Sequence, residues 1–193
     1  MRSALPILGT CLALTWLLGA CSHVPLGSLP RLAQIDFGAT DVKALRAAAR
    51  VPATLQITGA KMRVVMTVGE SYRDEQIYAL SEVSDRDKQA SLAGDAPSSR
   101  VQVFRLSPED AARLQAMREK GFRLGARTKQ RGSMRIDLQP NVCRTADIGQ
   151  EKLLLSTYLR SGETGPAYVP LTRDVDLRSL GREGEVSSIP PCT

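Results

Sequence analysis

The chain has 193 residues, 24% of them charged and only 4% aromatic, and a formal charge of +6. That length suits one folded domain, and the composition argues against a disordered or multi-span membrane protein. Scarce aromatics leave few platforms on which bases could stack, so the positive balance points to lipid headgroups, lipopolysaccharide phosphates or peptidoglycan carboxylates and not to nucleic acid.

Residues 1–20 have the layout of a secretory signal: Arg2, then the apolar run "LPILGTCLALTWLLGA", ending in small residues. The run is too short for a permanent bilayer span, which needs about twenty apolar residues. It closes on Leu18-Gly19-Ala20-Cys21, followed at once by polar sequence. This "LGAC" resembles the lipobox of bacterial lipoproteins. The resemblance implies that Cys21 receives a diacylglycerol, that cleavage occurs before it, and that the new amino group is acylated, with palmitate among the usual chains. Two or three chains make a stable anchor where one is marginal. Ser22, where enterobacterial lipoproteins retained in the inner membrane carry aspartate, implies the outer membrane, with the domain facing the periplasm. An ordinary secreted protein with a cysteine near its cleavage point is the alternative.

With 1–20 removed and Cys21 lipidated, Cys143 and Cys192 are left. An even remainder in an oxidising periplasm suggests one disulfide, and two free or partner-linked thiols are the alternative. Residues 21–34 form the lipidated start and a Pro/Gly/Ser-rich tether reaching at most about 45 Å. Residues 35–193 are expected to form a single domain.

Along that domain, "TDVKALRAAAR" (40–50) reads as a short helix capped by Thr40 and stopped by Val51-Pro52. Strands are expected over 61–69, 75–83 and 100–106; in the second, Ile77, Ala79 and Ser81 share a face. The polar stretch 84–99 reads as a loop. "LSPEDAARLQAMREKG" (106–121) carries a full set of helix signals: Ser107 to cap, Pro108 at the first position, Glu109 and Asp110 in the first turn, and Gly121 to terminate. Its inner face is Ala111, Leu114 and Met117. Strands follow over 133–140, 152–160 and 167–177, the last two joined by the turn sequence "SGETGP". The expected class is mainly β, an antiparallel β-sandwich-like domain with one or two short inserted helices.

Residues suited to catalysis are few. The sole histidine, His23, lies two residues from the anchoring cysteine, where no folded body can hold it against a nucleophile. Histidine-dependent triads and histidine-rich zinc sites are thereby excluded. Glu70, Asp74 and Glu75, or Asp85 and Asp87, offer carboxylates for an acid-dependent hydrolase of envelope polymers or for calcium; a solvated charged turn is the simpler reading. No cofactor or metal is expected. The functional expectation is a non-enzymatic, membrane-anchored envelope lipoprotein that binds a protein partner or an anionic envelope component.

The segment 118–135 carries the binding expectation. Arg123, Arg127, Lys129, Arg131 and Arg135, with Arg118 and Lys120, meet the single acid Glu119. Such a run could form a mobile basic lobe gripping phosphate or carboxylate through forked arginine contacts, or could be a solvated connection. Tyr158 and Tyr168, on paired strands, are read as core-edge residues or as an aromatic pair at a partner surface. Finally, "RVQVFRLSPED" (100–110) resembles a strand and following loop in the outer-membrane lipoprotein of type VI secretion systems, which implies an accessory role in secretion as an alternative but carries no functional positions over. The chain also resembles lipoproteins of proteobacteria, which implies no activity.

Overall fold

In a computed structural model describing residues 25–36, 38–84, 92, 98–180 and 189–192, the chain folds into one curled, seven-stranded antiparallel sheet. The signal segment, Cys21 and His23 lie outside the described residues, as do Asp85 and Asp87. A 3-10 turn at Leu26–Ser28 leads into helix α1 (Leu29–Leu32), and a second, Val42–Ala44, precedes strand β1 (Arg46–Pro52). Then come β2 (Leu55–Val68), β3 (Tyr72–Val83), β4 (Ser99–Leu106), helix α2 (Pro108–Thr128), β5 (Gly132–Arg144), β6 (Leu154–Arg160), β7 (Val169–Asp176) and the short helix α3 (Leu177–Leu180). The strand order is β5-β2-β3-β4-β1-β6-β7. The mainly β, sandwich-like expectation therefore holds, with the strands hydrogen-bonded into one continuous sheet that curls over itself.

Two residue sets fill the inside of the curl. At one end α2 lies across β2 and β3, setting Ala111, Leu114 and Met117 against Met62, Val64, Met66 and Tyr78. At the other end Leu55, Ile57 and Ala60 of β2 fold over Ala47, Ala49 and Val51 of β1, with Phe104 and Leu155. A smaller cluster on the opposite face of β1 joins Ala48, Val103 and Tyr158.

The helix expected over 40–50 is a strand from Arg46 onward. β1 sits between β4 and β6 and is covered on both faces: Ala48 and Ala49 are fully buried, on opposite sides. Three small side chains let both faces close on the strand, and this tertiary packing overrides alanine's helical preference. Thr40 caps nothing; Asp41 does, accepting the Lys43 amide at 2.9 Å. In β3 Tyr78 points inward, while Ile77, on the other face, is 54% exposed.

Helix α2 begins as the sequence dictates, with the Ser107 hydroxyl accepting the Asp110 amide at 3.0 Å. It does not stop at Gly121. That glycine marks the closest approach of α2 to β2, where a β-carbon would stand 2.3 Å from Met66 Cε. The helix continues two turns to Thr128 and ends on Lys129 in left-handed geometry, φ 54°.

Cys143 of β5 is bonded to Cys192 (S–S 1.96 Å), closing a loop of 49 residues. The tail also hydrogen-bonds beside β5, Arg144 N to Pro190 O at 2.8 Å and Cys192 N to Arg144 O at 2.9 Å. Ile189 thereby reaches the core around β1.

Candidate anion-binding groove

The two turns that α2 adds beyond Gly121 place the basic segment on a rigid element. Helical spacing puts Lys120, Arg123, Leu124 and Arg127 along one side, facing Tyr72 of β3 across a shallow groove. Lys120 Nζ lies 5.4 Å from the centre of the Tyr72 ring, within cation–π range. The Tyr72 hydroxyl donates to Asp74 Oδ2 at 3.2 Å. Partial burial, then the charge of Asp74 and its bond to the phenol, push the Tyr72 pKa above its ordinary value, and Lys120 pulls the other way.

Arg123 has one nearby acid, Glu119, at 3.5 Å one turn back, and both side chains are exposed. Such a pair contributes little and leaves the guanidinium available. Among the described residues no ion pair engages Lys120, Arg127, Lys129 or Arg131. Cations at this end of α2 are favoured by the partial negative charge of the helix carboxyl terminus. The field therefore has a local structural cause as well as a capacity to attract anions.

The five expected anion-binding residues separate into three places. Arg123 and Arg127 share the groove. Lys129 caps the helix in left-handed geometry and Arg131 occupies the short connection to β5, with its carbonyl accepting the Gly69 amide at 3.3 Å. Arg135 is on the other face of the sheet: its neighbours Met134 and Ile136 pack toward α2, so the strand alternation sends Arg135 away, opposite Val65. In place of a mobile lobe, the segment is a helix end, a tight turn and a strand.

Arg118, which the sequence groups with the other cations, is 7% exposed and structural. It donates through Nη1 to the Thr40 carbonyl at 2.5 Å and through Nη2 to Gln115 Oε1. The Thr40 hydroxyl in turn bonds Glu163 Oε1 at 2.6 Å. That bond, and the nearby Arg118 charge, hold the Glu163 carboxyl below the usual glutamate range. This node ties the amino-terminal segment, α2 and the β6–β7 hairpin together.

The candidate carboxylates are similarly dispersed. Glu75 is clamped by Arg63 Nε at 2.6 Å and Arg73 Nη2 at 2.7 Å, bonds that lower its pKa. Asp74, its neighbour in an extended strand, points to the opposite face and engages Tyr72 and Gln76. Adjacent residues on opposite faces cannot flank one scissile bond. Among the described residues no three metal-ligating side chains cluster, and no helix is long and apolar enough to cross a membrane. Tyr158 is buried against Ala48 and Val103, and Tyr168 packs beside it under the Arg160 guanidinium at 5.4 Å.

Tyr72 and Lys120 complete the groove, and the five-residue basic stretch does not by itself point to Tyr72, 51 positions before Arg123. No family model, curated protein or solved structure matches the chain.

Proposed function

We propose that the protein is a lipid-anchored, non-enzymatic envelope lipoprotein whose β domain holds an anionic envelope component at the carboxyl end of α2. The observation that carries this reading is Leu18-Gly19-Ala20-Cys21 at the end of a short apolar run. The disulfide fits the oxidising compartment that such a signal addresses. Only seven residues separate Cys21 from α1, which keeps the domain close to its own anchor and to phosphates of lipid or lipopolysaccharide. Anchoring raises the local concentration of those headgroups, so weak contacts from Arg123, Arg127 and Lys129 suffice.

The test separates groove from anchor. A chain beginning at Ser22, which has neither the lipid nor the apolar run of residues 1–20, is sedimented with vesicles containing anionic lipid at low and physiological salt. Retention is expected, falling with salt, and the combined Arg123→Gln, Arg127→Gln and Lys129→Gln substitutions should abolish most of it, at roughly 1 kcal/mol per basic residue. Arg135→Gln, on the opposite face, should change it little. Retention unaffected by the triple substitution would remove the groove from the proposal.

A further inference from the structure

A second cationic site lies at the far end of α2, and the strand register carries it. Arg46 of β1 pairs directly with Arg160 of β6. On its other side, one step beyond the Ala47–Phe104 pair, Arg46 stands opposite Arg105 of β4. Directly opposed residues share a face, so three arginines form a row across β4, β1 and β6. Lys43, from the turn before β1, joins Arg46 and Arg105 in lining a concavity beside Ser107.

Like charges directly opposite one another destabilise a sheet. Some arginines of this sheet are neutralised, Arg50 by Asp174 at 2.7 Å and Arg63 by Glu75 and Asp137 at 2.6 and 3.2 Å, while Arg100, Arg135 and Arg173 have no ion pair among the described residues. Among the described residues no ion pair engages Lys43, Arg46, Arg105 or Arg160. Among the described residues, the acids next in sequence to these cations are engaged elsewhere, Asp41 with the Lys43 amide and Asp110 with Arg113. Arg46 is also held in place: its Nη1 donates to the carbonyls of Lys43 and Leu45, both at 2.8 Å, which leaves Nη2 and Nε with no hydrogen-bond partner among the described residues.

We propose that this concavity is a binding site for a phosphate monoester or diphosphate group. A fixed guanidinium flanked by two further cations matches a group carrying more than one negative charge, and a phosphate monoester carries about −1.5 to −2 at neutral pH, whereas a single carboxylate carries one. The bound anion relieves the repulsion that the row otherwise imposes. The site rests on register and charge alone and stands whether or not Cys21 carries lipid.

The full-length protein in uncharged detergent, disulfide intact, is titrated with inorganic pyrophosphate by calorimetry and by thermal shift. A second arm uses neutral phosphatidylcholine vesicles with and without phosphatidic acid. Saturable pyrophosphate binding that raises Tm is expected, with a loss of affinity of about tenfold or more in Arg46→Gln/Arg105→Gln. The charge-matched control Lys61→Gln/Lys152→Gln should bind as the unsubstituted protein does. Arg105→Gln alone is expected to melt no lower than the parent without ligand, because it removes a repulsion and breaks no hydrogen bond. Binding of pyrophosphate supports a free phosphorylated solute; binding to phosphatidic acid vesicles alone, equally sensitive to Arg46 and Arg105, supports a lipid-borne phosphate. Failure of both probes to bind overturns the site. So does binding that survives Arg46→Gln/Arg105→Gln, or that disappears instead on Arg127→Gln/Lys129→Gln.

Discussion

Replacing Gly121 by alanine should destabilise the protein even though alanine is the better helix former. In an unconstrained helix interior the change is favourable by about 1 kcal/mol. Here the new β-carbon would stand 2.3 Å from Met66 Cε, 2.9 Å from Cγ and 3.2 Å from Sδ. The clash reaches Cγ and so is not confined to the flexible end of the side chain, and Met66 is 2% exposed, so it cannot swing out into solvent without leaving the core. Overpacking of this kind costs about 1–3 kcal/mol, and more where backbone must shift. The sum is a net loss of up to about 2 kcal/mol, or several degrees in Tm for a chain of this size. Urea unfolding of the oxidised protein reads the change as a lower midpoint with unchanged slope. Gly149→Ala is the control: no atom lies within 4 Å of its β-carbon position, so it should be neutral or slightly stabilising. Met66→Ala should be costly alone, and in its presence Gly121→Ala should become favourable. If Gly121→Ala raises stability by itself, or if the two changes are additive, α2 does not seat on β2 as described.

Two further expectations concern the core and its staple. Tyr78 is fully buried, and desolvation pushes its pKa up to about 12. An unfolded tyrosine ionises near pH 10 while the folded one stays neutral, so this contribution is complete below pH 10 and is lost as pH rises through about 12. A stability–pH profile should show the decline between those values, and Tyr78→Phe should flatten that part of it. Replacing Cys143 and Cys192 by alanine frees a loop of 49 residues, an entropic loss of about 4 kcal/mol in the chain-entropy model. Chemical unfolding with and without reductant should show the same difference in the parent and none in the double variant.

Much of the fold was legible because it rests on local signals. Ser107-Pro108 and the first-turn acids of α2 work through bonds within one turn, and the alternation of β4 and the glycines of the β6–β7 turn are equally local. Two features were not. The alanines of β1 are helical by propensity and become a central strand only because β4 and β6 arrive from 50 and more residues away to pair with both its edges. Gly121 looks like a terminator in sequence, and its other use, close approach to Met66, requires the partner strand in view. The basic stretch showed the same limit. Its charge was plain, but the division among a buried node at Arg118, a groove at Arg123 and Arg127, and the opposite face at Arg135 follows from helix and strand periods that begin where α2 ends. The arginine row over β4, β1 and β6 has no sequence signature, since its members are separated by 59 and 55 positions and meet only through register.

Intact mass analysis of the protein recovered from bacterial membranes reads the anchor on Cys21 itself. The mature chain is expected to begin at Cys21 with the added mass of a diacylglycerol and an amide-linked acyl chain. Cys21→Ser is expected to yield no lipidated species and to leave the apolar run before it uncleaved. A chain that starts at any other residue, or that starts at Cys21 with a free thiol, would contradict the anchor.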